Sequence, residues 1–327
     1  MKKFPLIILL LCVIQLFIFS RDSNVINNDI LLLCQGKFVS AKDTSVSPNK
    51  CSIQDIPKLE IPKTNPNEII ITHVGYSLVY NEQYEQAKWV AYQLTKEETV
   101  KSWERGNAFK EDPEVKTMTA SNQDYAGSGF DRGHLAPAAD MGWSSISMSE
   151  SFYYSNMSPQ NPTFNRGIWK QLEGLVRNWA IENDTLYVVT GPVLTYNLVT
   201  IGPNQVAVPD YFFKVILDYS KPVIKGIGFI MANIGSDSPL QNYAVTIDSV
   251  EKLTGIDFFP LLPDDEEGKI EEKCCIECWT WIHSNTLNKA PNKADSSVQC
   301  SGITKKGARC KNMTNSPNGR CYQHGGN

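Results

Sequence analysis

The sequence is poor in histidine and has no surplus of positive charge. Four of its 327 residues are histidines, and its 31 Lys and Arg residues are outnumbered by 35 Asp and Glu residues. The resulting net charge of -4 argues against a protein that coats nucleic acid through bulk charge, although an enzyme could still act on a polyanion through a few local cations. With 42% hydrophobic and 20% charged residues, the composition is that of a globular protein and excludes collagenous, coiled-coil and wholly disordered chains.

Internal repeats and the Gly-rich loops of common nucleotide-binding folds are also missing from the sequence. An apolar run does occur at the N-terminus, where Lys2 and Lys3 precede residues 4–19. A basic start followed by an apolar run is typical of a signal peptide, and this run is shorter than the ~20 residues that span a bilayer comfortably. Because no clean cleavage site follows, an uncleaved anchor stays open. We therefore expect export, to the periplasm or the extracellular space or to a membrane that holds the uncleaved segment.

Eight of the nine cysteines lie outside this apolar run. In an exported protein an even number favours disulfides, and Cys34 with Cys51 is the simplest pair. A closed structural zinc site takes three thiolates and one imidazole, and the C-terminus supplies such a set. Its members are Cys300, Cys310, Cys321 and His324. Zinc there would leave an odd number of cysteines for pairing, so zinc and disulfides both stay open.

The C-terminal tail, residues 300–327, has a charge opposite to that of the rest of the chain. It carries five basic and no acidic side chains, which leaves a net charge of -9 for the remainder. The preceding residues 284–299 are poor in apolar side chains and rich in Asn, Ser and Lys, as in a linker. The tail is interpreted either as a solubilising stapled module or as an additional grip on phosphate backbones or wall polymers.

The middle of the chain mixes strand and helix patterns. Short runs rich in β-branched and aromatic residues predict strands over residues 68–72, 185–190, 211–217 and 223–231. Apolar residues at helical spacing predict a helix over residues 166–181. Strands without regular alternation with helices favour an α+β domain over a doubly wound one.

One histidine has unusual neighbours. A lone histidine is more often structural than catalytic, but His134 ends the segment GFDRGH and follows Asp131, Arg132 and Gly133 directly. A carboxylate, a guanidinium and a flexible glycine beside an imidazole suit a backbone that presents a base next to a phosphate.

A second polar pattern begins shortly after this histidine. Asn165, Trp169, Glu173 and Arg177 follow one another in steps of four residues. On a continuous helix each step turns by only about 40°, so the four side chains would form one drifting stripe. An ordinary surface helix with a Glu173–Arg177 ion pair is the competing interpretation. For Trp169 and Tyr125 we favour a packing role.

In combination these segments resemble the DNA/RNA non-specific endonucleases, the ββα-metal nuclease family. The resemblance covers about residues 68–265 and rests on four segments, ERGNAFKEDPEV (104–115), DRGHLAPAAD (131–140), SNMSPQNPTFNRGIWKQLE (155–173) and DSVEKLTGIDFFPLLPDD (248–265). It implies an α+β domain with an antiparallel central sheet and flanking helices, and hydrolysis of phosphodiester bonds in DNA and RNA. The Cys- and His-rich tail lies outside it.

The resemblance also implies roles for individual residues. One divalent metal, Mg²⁺ or alternatively Mn²⁺, would be held directly by Asn165, whose amide oxygen is a hard ligand. His134 matches the general base, and Glu173 matches a carboxylate that fixes the hydration of the metal. Arg105 matches the arginine that contacts the scissile phosphate.

The other polar residues of these segments receive supporting roles from the same resemblance. Arg177 and Arg166 are expected to bind substrate, and Asp131 with Arg132 to orient the site. Asn156 is expected to support the histidine or the waters of the metal.

The resulting domain prediction has five parts. Residues 1–20 are expected to form a signal peptide or anchor, 21–60 an N-terminal extension, 61–270 the nuclease domain, 271–299 a Cys-containing linker and 300–327 the basic tail. DNA and RNA are the expected partners, together with a second copy of the chain, since parts of this family dimerise. The alternative function is a surface protein that binds nucleic acid through the tail, without catalysis.

Overall fold

The computed structural model describes residues 56–220, 222–281, 298–304, 307–314 and 318–324. The predicted signal peptide, the Cys34–Cys51 pair and residues 282–297 lie outside these ranges. The chain divides into two units, residues 1–52 and 53–327, and all described residues belong to the second. Within the described ranges no helix has both the length and the apolar character needed to cross a bilayer.

The described residues form thirteen strands, seven of which build one antiparallel sheet. In chain order the strands are β1 (Ile70–Thr72), β2 (Ser77–Asn81), β3 (Gln86–Thr95), β4 (Asp131–His134), β5 (Met157–Gln160), β6 (Thr185–Pro192), β7 (Thr200–Ile201), β8 (Val206–Ala207), β9 (Tyr211–Asp218), β10 (Lys225–Ala232), β11 (Ala244–Val245), β12 (Val298–Gln299) and β13 (Met313–Thr314).

The central sheet has the order β1-β2-β3-β6-β9-β10-β11, and every neighbouring pair in it is antiparallel. This arrangement confirms the predicted antiparallel central sheet. The four predicted strands correspond to β1, β6, β9 and β10, with bounds that differ by a few residues at most. Three two-stranded antiparallel ribbons lie outside the sheet, formed by β4 with β5, β7 with β8 and β12 with β13.

Six α-helices are present among the described residues. They are α1 (Asn122–Tyr125), α2 (Ser145–Glu150), α3 (Pro162–Phe164), α4 (Lys170–Asn183), α5 (Ile247–Thr254) and α6 (Asp264–Glu271). Short 3₁₀ turns occur at Glu97–Thr99, Tyr154–Asn156, Leu240–Tyr243, Ile276–Cys278 and Tyr322–His324.

Both faces of the central sheet are buried. Successive side chains of a strand point to opposite faces, and in β6 Leu186 and Val188 join a cluster with α4 whereas Tyr187 and Val189 join a cluster with α5 and α6. A strand covered on both sides is largely apolar, which explains the apolar residues that dominate β6 and β9. Burying one such Val or Leu side chain contributes roughly 1.5–3 kcal/mol, so the two clusters give the sheet a rigid base.

Residues 271–281 differ from the linker predicted there. The ring of Trp279 lies 4.4 Å from that of Trp179 on α4, and the indole N–H of Trp179 donates to the carbonyl of Thr280 at 2.6 Å. Cys275 and Cys278 form a disulfide in the same segment. Apolar packing therefore holds this segment on the main domain. The cysteines and charged residues of the segment did not predict this packing.

Candidate active site

A ribbon outside the central sheet carries the DRGH segment. Strand β4 pairs with β5, so that Asp131 lies opposite Gln160 and His134 opposite Met157. A Cβ atom at Gly133 would come within 2.2 Å of the Gln160 side chain. Glycine is therefore required at this position for the two strands to approach, and the approach fixes where the following imidazole lies.

The segment that carries Asn165 is not the single helix that we predicted over residues 166–181. Helix α4 begins only at Lys170, and Asn165–Trp169 form a wider π-type turn before it. Within this turn Gly167 has φ -101° and ψ -112°, outside the helical region. Such turns are frequent at functional sites, and a pattern of spacings that assumes one continuous helix cannot reveal them.

The four-residue stripe is consequently interrupted. Trp169 is fully buried and packs against Phe164 and Phe212, at centroid distances of 5.3 and 5.8 Å. Tyr125 is buried as well and stacks on Tyr154, although its edge lines the cleft described next. The favoured packing role of both aromatic residues agrees with this burial.

A cleft of about 460 Å³ brings most of the predicted site residues together. The members of the predicted set that line it are Arg105, Asp131, Arg132, His134, Asn165, Arg166, Glu173 and Arg177. They come from the loop before α1, from β4, from the π-type turn and from α4. Asn156 does not line this cleft.

The imidazole of His134 is almost fully buried, with 8% of the residue exposed. Its ring meets Phe152 edge-on at 4.9 Å, and Nε2 has no hydrogen-bond partner within the described part of the chain. Burial, with help from the positive charges of Arg105 and Arg132, lowers the pKa of His134 to about 3. The imidazole is therefore neutral at neutral pH and can accept a proton.

Asn165 is oriented by an acidic neighbour. Its amide Nδ2 donates to Asp131 Oδ2 at 2.8 Å, and Arg166 binds both carboxylate oxygens of Asp131 at 2.8 and 2.6 Å. Although burial alone would favour the neutral acid, these hydrogen bonds lower the pKa of Asp131. A carboxylate can only accept, so the amide nitrogen of Asn165 is the atom that faces Asp131. The amide oxygen points elsewhere and accepts no hydrogen bond from the described residues. The donor set thus fits a hard divalent cation at this oxygen.

The two arginines nearest His134 rest on the aromatic rings around it. The guanidinium of Arg132 lies 4.3 Å from the ring centroid of Phe109 and donates to Asn122 Oδ1 at 2.7 Å. The guanidinium of Arg105 lies 5.6 Å from the ring of Phe152 and is otherwise exposed. Arg105 forms no ion pair with a described carboxylate, so its charge is free for an anionic ligand.

Arg177 does not form the ion pair with Glu173 that an ordinary surface helix would show. It binds Asp140 Oδ1 at 2.6 Å instead, and the hydroxyl of Tyr92 donates to the other oxygen of Asp140 at 2.9 Å. The carboxylate of Asp140 is completely buried. The buried carboxylate of Asp140 therefore fixes the position of Arg177, which lines the cleft.

Glu173 is partly exposed in the cleft and interacts electrostatically with Lys214 of β9, whose side chain is fully buried. The Nζ atom of Lys214 has no hydrogen-bond partner in the described chain and lies 4.9 Å from the ring centroid of Trp169. Burial raises the pKa of Glu173 to about 7, opposed by the charges of Lys214 and Arg177. Burial likewise lowers the pKa of Lys214 to about 8, opposed by Glu173.

Asn156 acts on the backbone that follows the histidine. Its side chain accepts from the N–H of Ala136 at 2.8 Å and donates to the carbonyls of Ala136 and Ser151 at 2.9 and 2.8 Å. It touches neither the imidazole nor Asn165 in the described structure. Its predicted support of the histidine is thus exerted through the main chain.

Sequence reasoning missed the groups beneath the cleft, Lys214 and Asp140, and the aromatic pair Phe109 and Phe152. A lysine within the apolar run of β9 was a signal for the first, since a charge there must be buried. Asp140 ends the DRGHLAPAAD segment but was given no role. Nothing in the spacing of the two phenylalanines pointed to the histidine.

Comparison with known proteins agrees with this geometry. Residues 58–265, well over half of the chain, match the family described as DNA/RNA non-specific endonuclease. The chain belongs to this family of enzymes. The family match confirms the resemblance on which the site prediction rests.

Individual relatives are similar over the same part of the chain. Nuclease EXOG of Xenopus laevis, a mitochondrial protein, is 37% identical over 214 residues that cover 59% of each chain. Mitochondrial endonuclease G of Homo sapiens is 38% identical over 57% of this chain and 68% of its own. A solved structure of the EndoG/EndoGI complex matches with a TM-score of 0.56 and 33% identity, over 59% of this chain and 86% of that chain. The chain thus spans less than two thirds of the Xenopus laevis nuclease.

The prediction of export is contradicted by these relatives. The Xenopus laevis, Homo sapiens and Bos taurus proteins are all mitochondrial nucleases, which points to a mitochondrial rather than a periplasmic or extracellular location. The two lysines and the apolar run over residues 4–19 show only that this segment is basic at its start and then hydrophobic. Neither property identifies the membrane at which such a segment acts.

Proposed function

We propose that this chain is a metal-dependent endonuclease that hydrolyses phosphodiester bonds of both DNA and RNA. The observation that carries the proposal is that one cleft contains three kinds of group. They are the neutral imidazole of His134, whose Nε2 has no described hydrogen-bond partner, the amide oxygen of Asn165, which could bind a cation, and several arginines. These are the groups that hydrolysis of a polyanion needs, namely a base, a metal ligand and phosphate-binding cations. The mitochondrial relatives support a mitochondrial place of action.

Asn165 would hold the divalent cation, with Mg²⁺ preferred and Mn²⁺ as an alternative. An amide oxygen suits either ion, and Mg²⁺ commonly keeps most of its waters, which agrees with a single protein ligand. The ion would supply positive charge next to the phosphate and the leaving oxygen. Asp131 would keep the amide oriented, and Glu173 would orient the hydration shell of the ion.

His134 is proposed as the general base that takes a proton from the attacking water. Its lowered pKa keeps the imidazole neutral, so that one ring nitrogen can accept a proton, and Phe109 and Phe152 pack against the ring. Positioned base catalysis contributes roughly 10²–10⁴-fold in rate. Asn156 would act as a positioning residue by fixing the backbone at Ala136.

The arginines are proposed to bind phosphates. Arg105 is exposed and forms no ion pair with a described carboxylate, so it is assigned to the scissile phosphate. Arg132 and Arg177 are already fixed by Asn122 and Asp140, which makes them suited to positioning the substrate without a further ordering cost. Arg166 is assigned to a neighbouring phosphate. Homodimerisation stays a prediction, which sedimentation at several protein concentrations would test.

Supercoiled plasmid DNA and total RNA, each incubated with the protein and Mg²⁺, test the proposal. We expect both polymers to be degraded, and we expect EDTA to abolish the reaction. His134→Ala should lower the rate by about 10²–10⁴-fold while the circular dichroism spectrum stays unchanged. Full activity of His134→Ala would contradict the proposed base.

His73→Ala is the matched control, because the His73 imidazole is also buried but lies outside the cleft. It binds Asp112 at 2.9 Å, so its loss should lower thermal stability and leave the rate per folded molecule nearly unchanged. If deletion of residues 285–327 abolished DNA binding while His134→Ala changed nothing, the tail-based binding protein would be the better description.

A further inference from the structure

Four metal-ligating side chains come together in the C-terminal tail, beyond the family match. The thiol sulfurs of Cys300, Cys310 and Cys321 and a ring nitrogen of His324 all lie within 4.8 Å of one another. We infer that these four side chains bind one Zn²⁺ ion in a closed structural site. The nuclease proposal does not depend on this site, and none of its residues lines the cleft.

Three of the separations among the four ligand atoms agree with those of a tetrahedron around zinc, and all of them lie within 4.8 Å. Bonds of about 2.3 Å to sulfur and 2.0–2.1 Å to nitrogen place two tetrahedral sulfurs about 3.8 Å apart, and a sulfur and a nitrogen about 3.6 Å apart. The sulfurs of Cys310 and Cys321 are 3.9 Å apart. His324 Nδ1 lies 3.5 Å from the sulfur of Cys300 and 3.4 Å from that of Cys321. The four ligand atoms are therefore gathered closely enough to surround a single ion.

Hydrogen bonds to the sulfurs favour the ionised thiolates that zinc requires. The backbone N–H groups of Gly302 and Cys321 donate to the sulfur of Cys300 at 3.3 and 3.1 Å. The side-chain amide of Asn312 donates to the sulfur of Cys321 at 3.6 Å. Such outer contacts orient metal ligands and stabilise their negative charge.

Apolar packing contributes little to holding together the described residues of the tail. Among the tail side chains whose burial the structure describes, those of the three cysteines are buried, and they form a cluster by themselves. Ile303 by contrast is 61% exposed. A unit of this size without an apolar core needs a metal or disulfides in order to fold. Gly302 fits this packing, because a Cβ atom there would lie 2.3 Å from the His324 ring.

Disulfides explain the arrangement less well than a metal does. Three thiols can form one disulfide, which would leave one thiol and the imidazole buried against it without a partner. The sulfurs of Cys310 and Cys321, at 3.9 Å, are well outside the bonding distance of about 2.05 Å, and all three tail cysteines are free thiols. Cys275 and Cys278, in contrast, are bonded to each other. The odd number of cysteines left for pairing is thus accommodated, since Cys274 stays a free thiol.

Metal analysis of the full-length protein tests the inference. After purification under reducing conditions with Zn²⁺ in the medium, we expect about one zinc per chain by inductively coupled plasma mass spectrometry. Cys310→Ser and Cys321→Ser should each lose most of it, whereas Cys274→Ser, which removes a free thiol outside the cluster, should retain it. Absence of zinc from the wild-type protein, or full retention in Cys321→Ser, would overturn the inference.

A second measurement needs no variant and therefore avoids any failure to fold. The tail cysteines of the zinc-loaded wild-type protein should resist alkylation, and the zinc-selective chelator TPEN should make all three react. Peptide mass spectrometry identifies the sites. A disulfide among Cys300, Cys310 and Cys321 in the protein as purified would contradict the zinc site. Neither measurement uses cleavage of nucleic acid, so the outcome is independent of the proposed nuclease activity.

Discussion

The cleft and the tail hold their functional side chains in opposite ways. The cleft lies beside a seven-stranded sheet whose two faces are both packed with apolar side chains. In the tail, the described side chains that form a buried cluster are those of the three cysteines. Packing therefore orders the cleft before any ligand arrives, whereas the ligand itself must order the tail. Removing a metal should accordingly cost the first region its chemistry and the second its structure.

Selective chelation should separate the two regions most completely. With Mg²⁺ in excess, TPEN should expose the tail to limited proteolysis and leave the cleavage rate of a short DNA duplex unchanged. EDTA should abolish cleavage but leave the thermal unfolding of the main domain intact, because that domain depends on its core. Loss of cleavage with TPEN would show that the two regions are coupled and would break the comparison.

A cavity in the core should destabilise the main domain that carries the cleft and leave the zinc site of the tail unchanged. Leu175 of α4 is 3% exposed within the cluster that faces the central sheet, so Leu175→Ala should lower the free energy of unfolding by about 2–5 kcal/mol. Urea denaturation followed by tryptophan fluorescence measures the loss. The zinc content of the tail should not change.

Leu253→Ala is the control for this cavity, since Leu253 lies on α5 but is 44% exposed. Its cost should stay within about 0.5–1 kcal/mol. Equal effects of the two substitutions would mean that the interior of the sheet does not carry the stability of the domain.

The sequence predicted the strands of the central sheet more completely than the contacts that build the cleft. Strands β6 and β9 were predictable because their apolar runs record burial on both faces, a property of consecutive residues. His134 and Asn165 were found from local motifs and from the family resemblance. The turn at Gly167 and the pairing of Arg177 with Asp140 depend on contacts between segments far apart in sequence, which no local pattern contains.

The buried charges illustrate the same limit. Lys214 is visible in the sequence as a lysine within an apolar strand, but its proximity to Glu173 follows from the packing of α4 on β9. Trp279 was assigned to the Cys-containing linker over residues 271–299, although it packs in the core. In both cases the deciding interaction is tertiary.

Removing the buried cation should change the pH dependence of cleavage. In Lys214→Met the carboxylate of Glu173 loses the strongest of the charges that oppose its burial, so its pKa should rise above about 7. A higher pKa leaves less carboxylate at neutral pH, and a pKa that is higher by one lowers the ionised fraction up to about tenfold. We expect kcat/KM to fall at neutral pH and to recover under alkaline conditions, which a pH-rate profile measures.

Lys225→Met is the matched control for this change. Lys225 lies on the neighbouring strand β10 and is 3.4 Å from Asp218, away from the cleft. It should leave the pH profile where it is in the wild-type protein. A Lys214→Met profile that is lower at every pH but not displaced would indicate damage to packing and would contradict the role of Glu173 in the pH dependence.

The smallest effect is expected from the exposed ion pair at the rim of the cleft. Arg166 is 73% exposed in its side chain, so solvent screens its ion pair with Asp131 and the pair contributes little to stability. Asp131 keeps its hydrogen bond from Asn165 when Arg166→Ala removes the other partner, so the amide stays oriented and cleavage should fall by no more than about fivefold. Asp131→Ala should lower the cleavage rate further, because the amide of Asn165 could then turn either its oxygen or its nitrogen toward the cation.

The salt dependence of DNA binding distinguishes the two roles of Arg166. A slope smaller by about one in Arg166→Ala would mean that this side chain contacts a phosphate, and an unchanged slope would mean that it only secures Asp131.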